Sequence, residues 1–467
     1  MLIGCAPVVQ RGLPPLGPVS ALAPSARPAG GRIVLRVFDD AGKRVGWSAF
    51  RAIEEDGQFA DDALLDAATL DVTAIGPLSS SNGKADGDPS LALPVGRGAA
   101  LSLAWPSSSG YSNLVFRLPE RAGTYDFNDL AARQVLEDIR SSLAARSWYR
   151  PNARFDGLYA KAKRDFARGR AARSLDAGTA AEMELLAASG VAWASAHPGT
   201  QDWAGTFDTI TGGVPGLKIL ASLYPKDGWL RICFDPGEKP AYYAAEIAHA
   251  HALGLKVVGQ ILDSSEMRRW SVAAFERRTR EYVGALSDVD EWETGNEING
   301  NWLGTTASVV EKTRYASEYV KTHTRARVLV TLFWELGEGS VANATFTWAH
   351  AHMGSIAPYV DDVGLSLYPH QDPMGEPFDR VVAALHAAFP AQRVAITELG
   401  YIQKKGWWWG SRDSVPAGRD AVAALYQSAI MGYPYSGGGT FWWYFVEQVT
   451  RGNALYKTME SVYRSAH

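Results

Sequence analysis

Up to about residue 118 the apolar residues come in short alternating runs broken by turn-forming residues. The runs at 33–38, 46–53, 70–75, 100–105 and 114–118 read as strands, because alternation lays one face on a core. Together they predict a small β-sandwich. Between residues 126 and 146 the period changes. Leu130, Val135, Ile139 and Leu143 recur at near-helical spacing and predict a helix. From about residue 180 helical and strand-like blocks alternate, the signature of a parallel sheet with crossover helices. Strands are predicted at 190–196, 229–234, 256–262, 291–294, 327–333, 362–368, 393–397 and 440–445, the first ending at His197. Pro240 opens the helix after the second strand and Gly254 closes it. Eight strands predict a (β/α)₈ barrel, the TIM-barrel class of α/β fold. An open doubly wound sheet is the alternative, but the Gly-rich phosphate loop of that fold is missing. The predicted plan is a leader and tether at 1–31, a β-sandwich accessory module at 32–120, a helical, basic connecting segment at 121–178 and a catalytic barrel at 179–467.

Composition narrows this picture. Of 467 residues, 46% are hydrophobic and 21% charged, which suits a globular chain with a sizeable core. A net charge of -4 leaves no nucleic-acid footprint, and no apolar run is long enough to span a membrane. Thirteen of the 16 Trp lie after residue 190, so indole faces are available either for core packing or for stacking on sugars. Leu2-Ile3-Gly4-Cys5-Ala6 resembles the lipobox of bacterial lipoproteins. It predicts membrane attachment through a lipidated Cys5 and an extracytoplasmic location. Cys233 reads as a buried, inert thiol. Asp86 and Asp88 read as a solvated loop. Between 148 and 173, eight Arg and Lys outweigh Asp156 and Asp165. A solvated helix face is the plain reading, with an anionic polysaccharide or lipid headgroups as possible partners.

The candidate chemistry follows from the strand count. Glu297 comes just after strand four, in Gly295-Asn296-Glu297, and Glu398 ends strand seven, in Ile396-Thr397-Glu398-Leu399-Gly400. Both belong at the C-terminal mouth of a barrel, on opposite sides. Glycosidic cleavage needs such a pair, one carboxyl holding a proton and the other ionised. With Arg231 on strand two and Trp442-Trp443 on strand eight, residues 180–467 resemble the retaining glycoside hydrolases of clan A, nearest to families five and thirty-nine. The resemblance implies that Glu398 is the nucleophile and Glu297 the general acid/base. It implies that Asn296 binds the sugar 2-hydroxyl, that Arg231 and Tyr368 attend Glu398, and that Trp442 floors the subsite of the reacting sugar. Ser366 stands where family five often has His. The wider substrate-facing set comprises Trp443, Trp334, His370, Asp263, His197 and Trp408, the last within Trp407-Trp408-Trp409. No metal or organic cofactor is expected. The expected function is endo-acting retaining hydrolysis of an extracellular or cell-envelope polysaccharide. A non-catalytic carbohydrate-binding or assembly protein and a transglycosylase are the alternatives.

Overall fold

The computed structural model describes residues 31–39, 41–45, 62–76, 90–94, 96–107, 110–207, 213–336, 340–369, 372, 374–401, 418–438 and 441–467. Cys5 and the tether, Asp86, Asp88, His370 and Trp407-Trp408-Trp409 lie outside the described residues.

Two four-stranded sheets come first. In one, β1 (Arg32–Phe38) pairs with β2 (Arg44–Val45), β5 (Ser90–Pro94) and β8 (Gly123–Asp126). The other runs β4-β3-β6-β7, with β3 at Ala63–Asp66, β4 at Val72–Ile75, β6 at Ala99–Ser107 and β7 at Gly110–Arg117. Alternation gives this second sheet two covered faces. Leu101, Leu114 and Phe116 join a core with Ile33, Leu35 and the helix α1 (Phe127–Ala145). Leu65, Val72, Ala100 and Val115 join the main core of the barrel. Two further helices, α2 (Ala153–Ala167) and α3 (Ala171–Ala196), complete this layer.

Beyond them lies an eight-stranded, all-parallel sheet in sequential order, β9 to β16. Its strands are Trp203–Phe207, Gly228–Cys233, Lys256–Gln260, Glu291–Gly295, Arg327–Phe333, Asp362–Leu367, Arg393–Leu399 and Ser436–Gly438. Parallel bridges from Trp442 to Gly205 and Leu399, and from Gly438 to Asp202, draw the last strand toward the first. The result is a nearly closed eight-stranded barrel of the TIM type, with its core inside and under the crossover helices.

Two strand predictions need correction. Residues 190–196 are the end of α3, and the first barrel strand is Trp203–Phe207. The Ala- and Ser-rich run keeps the helix going. Gly190 lets it approach the helix Arg419–Ile430 so closely that a Cβ would strike the Ser428 carbonyl. The eighth strand is Ser436–Gly438, not 440–445. Its Ser-Gly-Gly sequence carries no apolar period to read.

Candidate active site

Strands buried on both faces normally read as continuous apolar runs. Here several carry charge instead, and the charges meet at the barrel mouth. Arg231 is the centre of the cluster, with 0% of its surface exposed. Its Nε donates to Glu293 Oε2 at 2.7 Å, one terminal nitrogen to Glu398 Oε2 at 2.9 Å, and the other to Asn296 Oδ1 at 3.3 Å. Three strands are thereby tied to one guanidinium. Burial alone would lower the Arg231 pKa, but Glu293 and Glu398 hold it well above its ordinary value. It is a fixed cation.

Glu398 has a second donor. Tyr368 Oη, just past β14, donates to Glu398 Oε1 at 2.5 Å. Gly400 makes room for this, since a Cβ there would collide with the Tyr368 ring. Burial raises the Glu398 pKa above its ordinary value, and Arg231 and the Tyr368 hydrogen bond offset only part of that rise. Burial and the Glu398 charge push the Tyr368 phenol well up, so it remains a donor.

Glu297 sits in a different environment. The chain leaves β12 through a bulge between Glu293 and Gly295 and places Glu297 at φ 52°, in the left-handed region. That conformation is costly for a residue with a Cβ, and such strain gathers at functional sites. The carboxyl accepts from Ser264 Oγ at 2.6 Å and from Ser366 Oγ at 2.7 Å. No cation pairs with it among the described residues. Burial first, and then the charge of Glu398, push its pKa up to about 8, against the two serine hydrogen bonds. Both carboxyls are thus raised by burial, but only Glu398 has a cation and a phenol to offset it.

The remaining candidates divide. Asp263 caps the helix Ser264–Met267 and adds negative charge that reaches both Glu297 and Glu398. Trp443 lies with its ring 5.5 Å from the Arg231 guanidinium carbon. Trp334 donates its backbone N–H to Ser366 O at 3.0 Å, beside the group that holds Glu297. Its indole N–H is buried without an acceptor among the described residues. Trp442, by contrast, is fully buried in the barrel core and donates to Gln448 Oε1 at 3.2 Å. It closes the sheet, so the half-buried Trp443 is the better placed indole. His197 is also misplaced by the sequence reading. It follows α3 and precedes β9, which puts it at the N-terminal end of the barrel, stacked on Trp193 at 3.9 Å.

Three participants were not singled out from sequence. Glu293 lies inside its strand and not in the loop after it. It is buried, and its second oxygen accepts from Thr331 Oγ1 at 2.6 Å. The available signal was period two, because Glu291 and Glu293 alternate in a strand that must be covered on both faces. Ser264 carried no signal of its own. Gln260, in register with Cys233 and Glu293, is buried with both amide atoms unpartnered among the described residues. Cys233 is buried and free, and burial raises its thiol pKa well above the ordinary value.

No protein-family model matches this chain, and no curated protein matches it. Among solved structures, similarity is found to a family 1 β-glucosidase from Thermotoga maritima, at 10% identity and a TM-score of 0.39, covering 53% of this chain and 88% of that one. A deoxyribose-phosphate aldolase from Toxoplasma gondii gives 16% identity and a TM-score of 0.34, covering 59% and 98%. A mandelate racemase/muconate lactonizing protein from Herpetosiphon aurantiacus gives 13% and 0.31, covering 82% and 87%. At such identities and scores these likenesses carry no argument about activity.

Proposed function

We propose that the barrel mouth is the active site of a retaining glycoside hydrolase, with Glu398 as nucleophile and Glu297 as general acid/base. One observation carries the reading. Glu398 is held by a fixed guanidinium and a phenol, whereas Glu297 has only serine hydroxyls and a pKa pushed up to about 8. Acid and base roles are assigned where environments drive two titratable groups apart. Double displacement needs this division at neutral pH. Glu398 attacks the anomeric carbon and the bond to the leaving oxygen breaks. The proton of Glu297 passes to that oxygen. In the second step Glu297, now ionised, takes a proton from water. The resulting hydroxide attacks the anomeric carbon and frees Glu398.

The substrate class follows from the same reading. The protein would cleave O-glycosidic bonds of an extracellular or cell-envelope polysaccharide, with Trp443 beside the reacting sugar and Asn296 available to its 2-hydroxyl. The test is the stereochemistry of the first product, followed by NMR on a cleavable oligosaccharide. Retained anomeric configuration, lost on Glu398→Gln, supports the assignment. Inverted product, or undiminished hydrolysis by Glu398→Gln, defeats it.

A further inference from the structure

The mouth leaves the most basic part of the chain unexplained. On α2, Phe155, Ala162 and Asp165 are buried, while Leu158, Tyr159 and Phe166 pack against the same core. The opposite face therefore presents Arg154, Lys161, Arg164 and Arg168, spaced seven, three and four residues apart. That spacing puts them in one solvent-facing row. Arg154 pairs with Glu184 at 3.2 Å and Lys161 with Asp165 at 3.3 Å. Arg164 and Arg168 have no carboxylate partner among the described residues, nor does Arg150 just before the helix. Lys163 lies over the Tyr159 ring, 4.1 Å from its centroid.

An aromatic ledge adjoins the start of this row. Trp148 is 44% exposed. It is fixed from two sides, by Tyr149 at 5.9 Å and by Trp193 at 5.2 Å between ring centroids. Trp193 is in turn stacked on His197. Trp193 lies near the end of α3, which stops before β9 begins, so the ledge sits at the N-terminal end of the barrel, away from the mouth.

We propose that this row and ledge form a second binding surface, for an anionic polysaccharide whose sugars carry carboxylates. Arg forks match carboxylates, and an exposed indole held in place offers a flat face to a pyranose ring. Arg164 and Arg168 are 6 Å apart along the helix axis at about 1.5 Å per residue, a spacing that suits successive charges on a polymer. An anionic membrane is the weaker fit. Interfacial helices insert a broad apolar face, and the exposed side of α2 has none, Trp148 being the only exposed large apolar residue in this region. The inference does not rest on the hydrolase reading, because none of these residues is among the groups that hold Glu297 or Glu398.

Native affinity electrophoresis of the full chain in gels containing polygalacturonate tests it, with a neutral β-glucan gel and phosphatidylglycerol vesicles run in parallel. Polygalacturonate should retard the wild type, and the retardation should fade as salt is added. The triple variant Arg154→Glu/Arg164→Glu/Arg168→Glu should lose at least tenfold in affinity, and Trp148→Ala several-fold. Both variants should keep the wild-type thermal midpoint and unchanged hydrolysis of short oligosaccharides. No retardation of the wild type, equal retardation by neutral glucan, undiminished binding by both variants, or capture by vesicles in place of polyuronate would overturn it. A failure here leaves the chemistry at the mouth untouched. Loss of hydrolysis in Glu398→Gln with retardation intact would likewise leave this surface standing.

Discussion

The barrel has paired acids and arginines at both ends, and they are arranged differently. At the N-terminal end Arg327 bridges Asp202 and Glu291, both at 2.7 Å, while Arg393 bridges Asp202 at 2.9 Å and Asp362 at 2.6 Å. The Arg327 guanidinium also lies over Trp229 at 4.6 Å. Each of these acids touches a guanidinium, and the strand ends are locked together. At the mouth one arginine serves Glu293 and Glu398, and Glu297 is left without a cation. Similar side chains thus make a plug at one end and, at the other, a pair of carboxyls with different proton affinities. Pairing separates Glu398 from Glu297, but the same contrast recurs away from the mouth, where Asp379 has Arg146 and Tyr433 while Glu182 has Ser142 and a pKa pushed up to about 8. What singles out the mouth pair is the uneven compensation together with its place at the C-terminal ends of the strands.

The largest expected effect separates the two ends by function. Glu398→Gln should lower turnover by about 10⁴-fold or more, in the range seen when one member of a catalytic unit is removed, with little change in the thermal midpoint. Arg327→Met should do the reverse, lowering the midpoint while leaving turnover per folded molecule intact. If Arg327→Met abolished catalysis with the fold preserved, the division into plug and site would fail.

Next in size is Arg231→Met. It leaves Glu293 and Glu398 buried without their cation, a change of the kind that costs about 3–5 kcal/mol. It should lower both stability, measured by chemical denaturation, and turnover. Loss of stability with normal turnover would remove Arg231 from the account of Glu398.

pH dependence sharpens the contrast further. Glu297 must hold its proton to act as an acid, so kcat/KM should fall as pH rises through about 8. The stability consequence has a definite sign. In the unfolded chain this carboxyl ionises around the ordinary 4.5, whereas in the fold it stays neutral until about 8. Folding stability should therefore decline between those pH values. Glu297→Gln should flatten that slope, and denaturation curves at pH 5 and pH 8 would show it.

The smallest effect concerns Ser366. Its hydroxyl favours the ionised form of Glu297, so Ser366→Ala should move the alkaline limb of the pH–rate profile upward. The cost in stability should be about 1 kcal/mol, the net worth of an ordinary hydrogen bond. A downward shift would mean that the serine stabilises the protonated acid instead.

Six of the barrel strands could be placed from the sequence because each is a run of apolar or alternating residues of ordinary length between helical blocks. The two errors lie where that signal fails. An Ala-rich helix end looks like a strand when Val191 and Trp193 are spaced two apart, and Ser-Gly-Gly looks like nothing at all. The first error also moved His197 to the wrong end of the barrel. At the mouth, Glu297 and Glu398 stood out because one follows a strand and the other lies at the end of one. Glu293 did not, since its role depends on which strand face turns inward and on Arg231 arriving from 62 residues away. The partition between Trp442 and Trp443 depends on how the last strand closes the sheet, which no periodicity records.

The central claim is that Glu297 is protonated and Glu398 ionised at neutral pH. It can be measured without knowing the substrate, by carbon-13 NMR titration of labelled glutamate carboxyls, with Glu297→Gln assigning the signal. The account predicts a Glu297 transition near pH 8 that shifts downward in Glu398→Gln, once the neighbouring charge is gone. A Glu297 transition at the ordinary glutamate value, unaffected by Glu398→Gln, would contradict it.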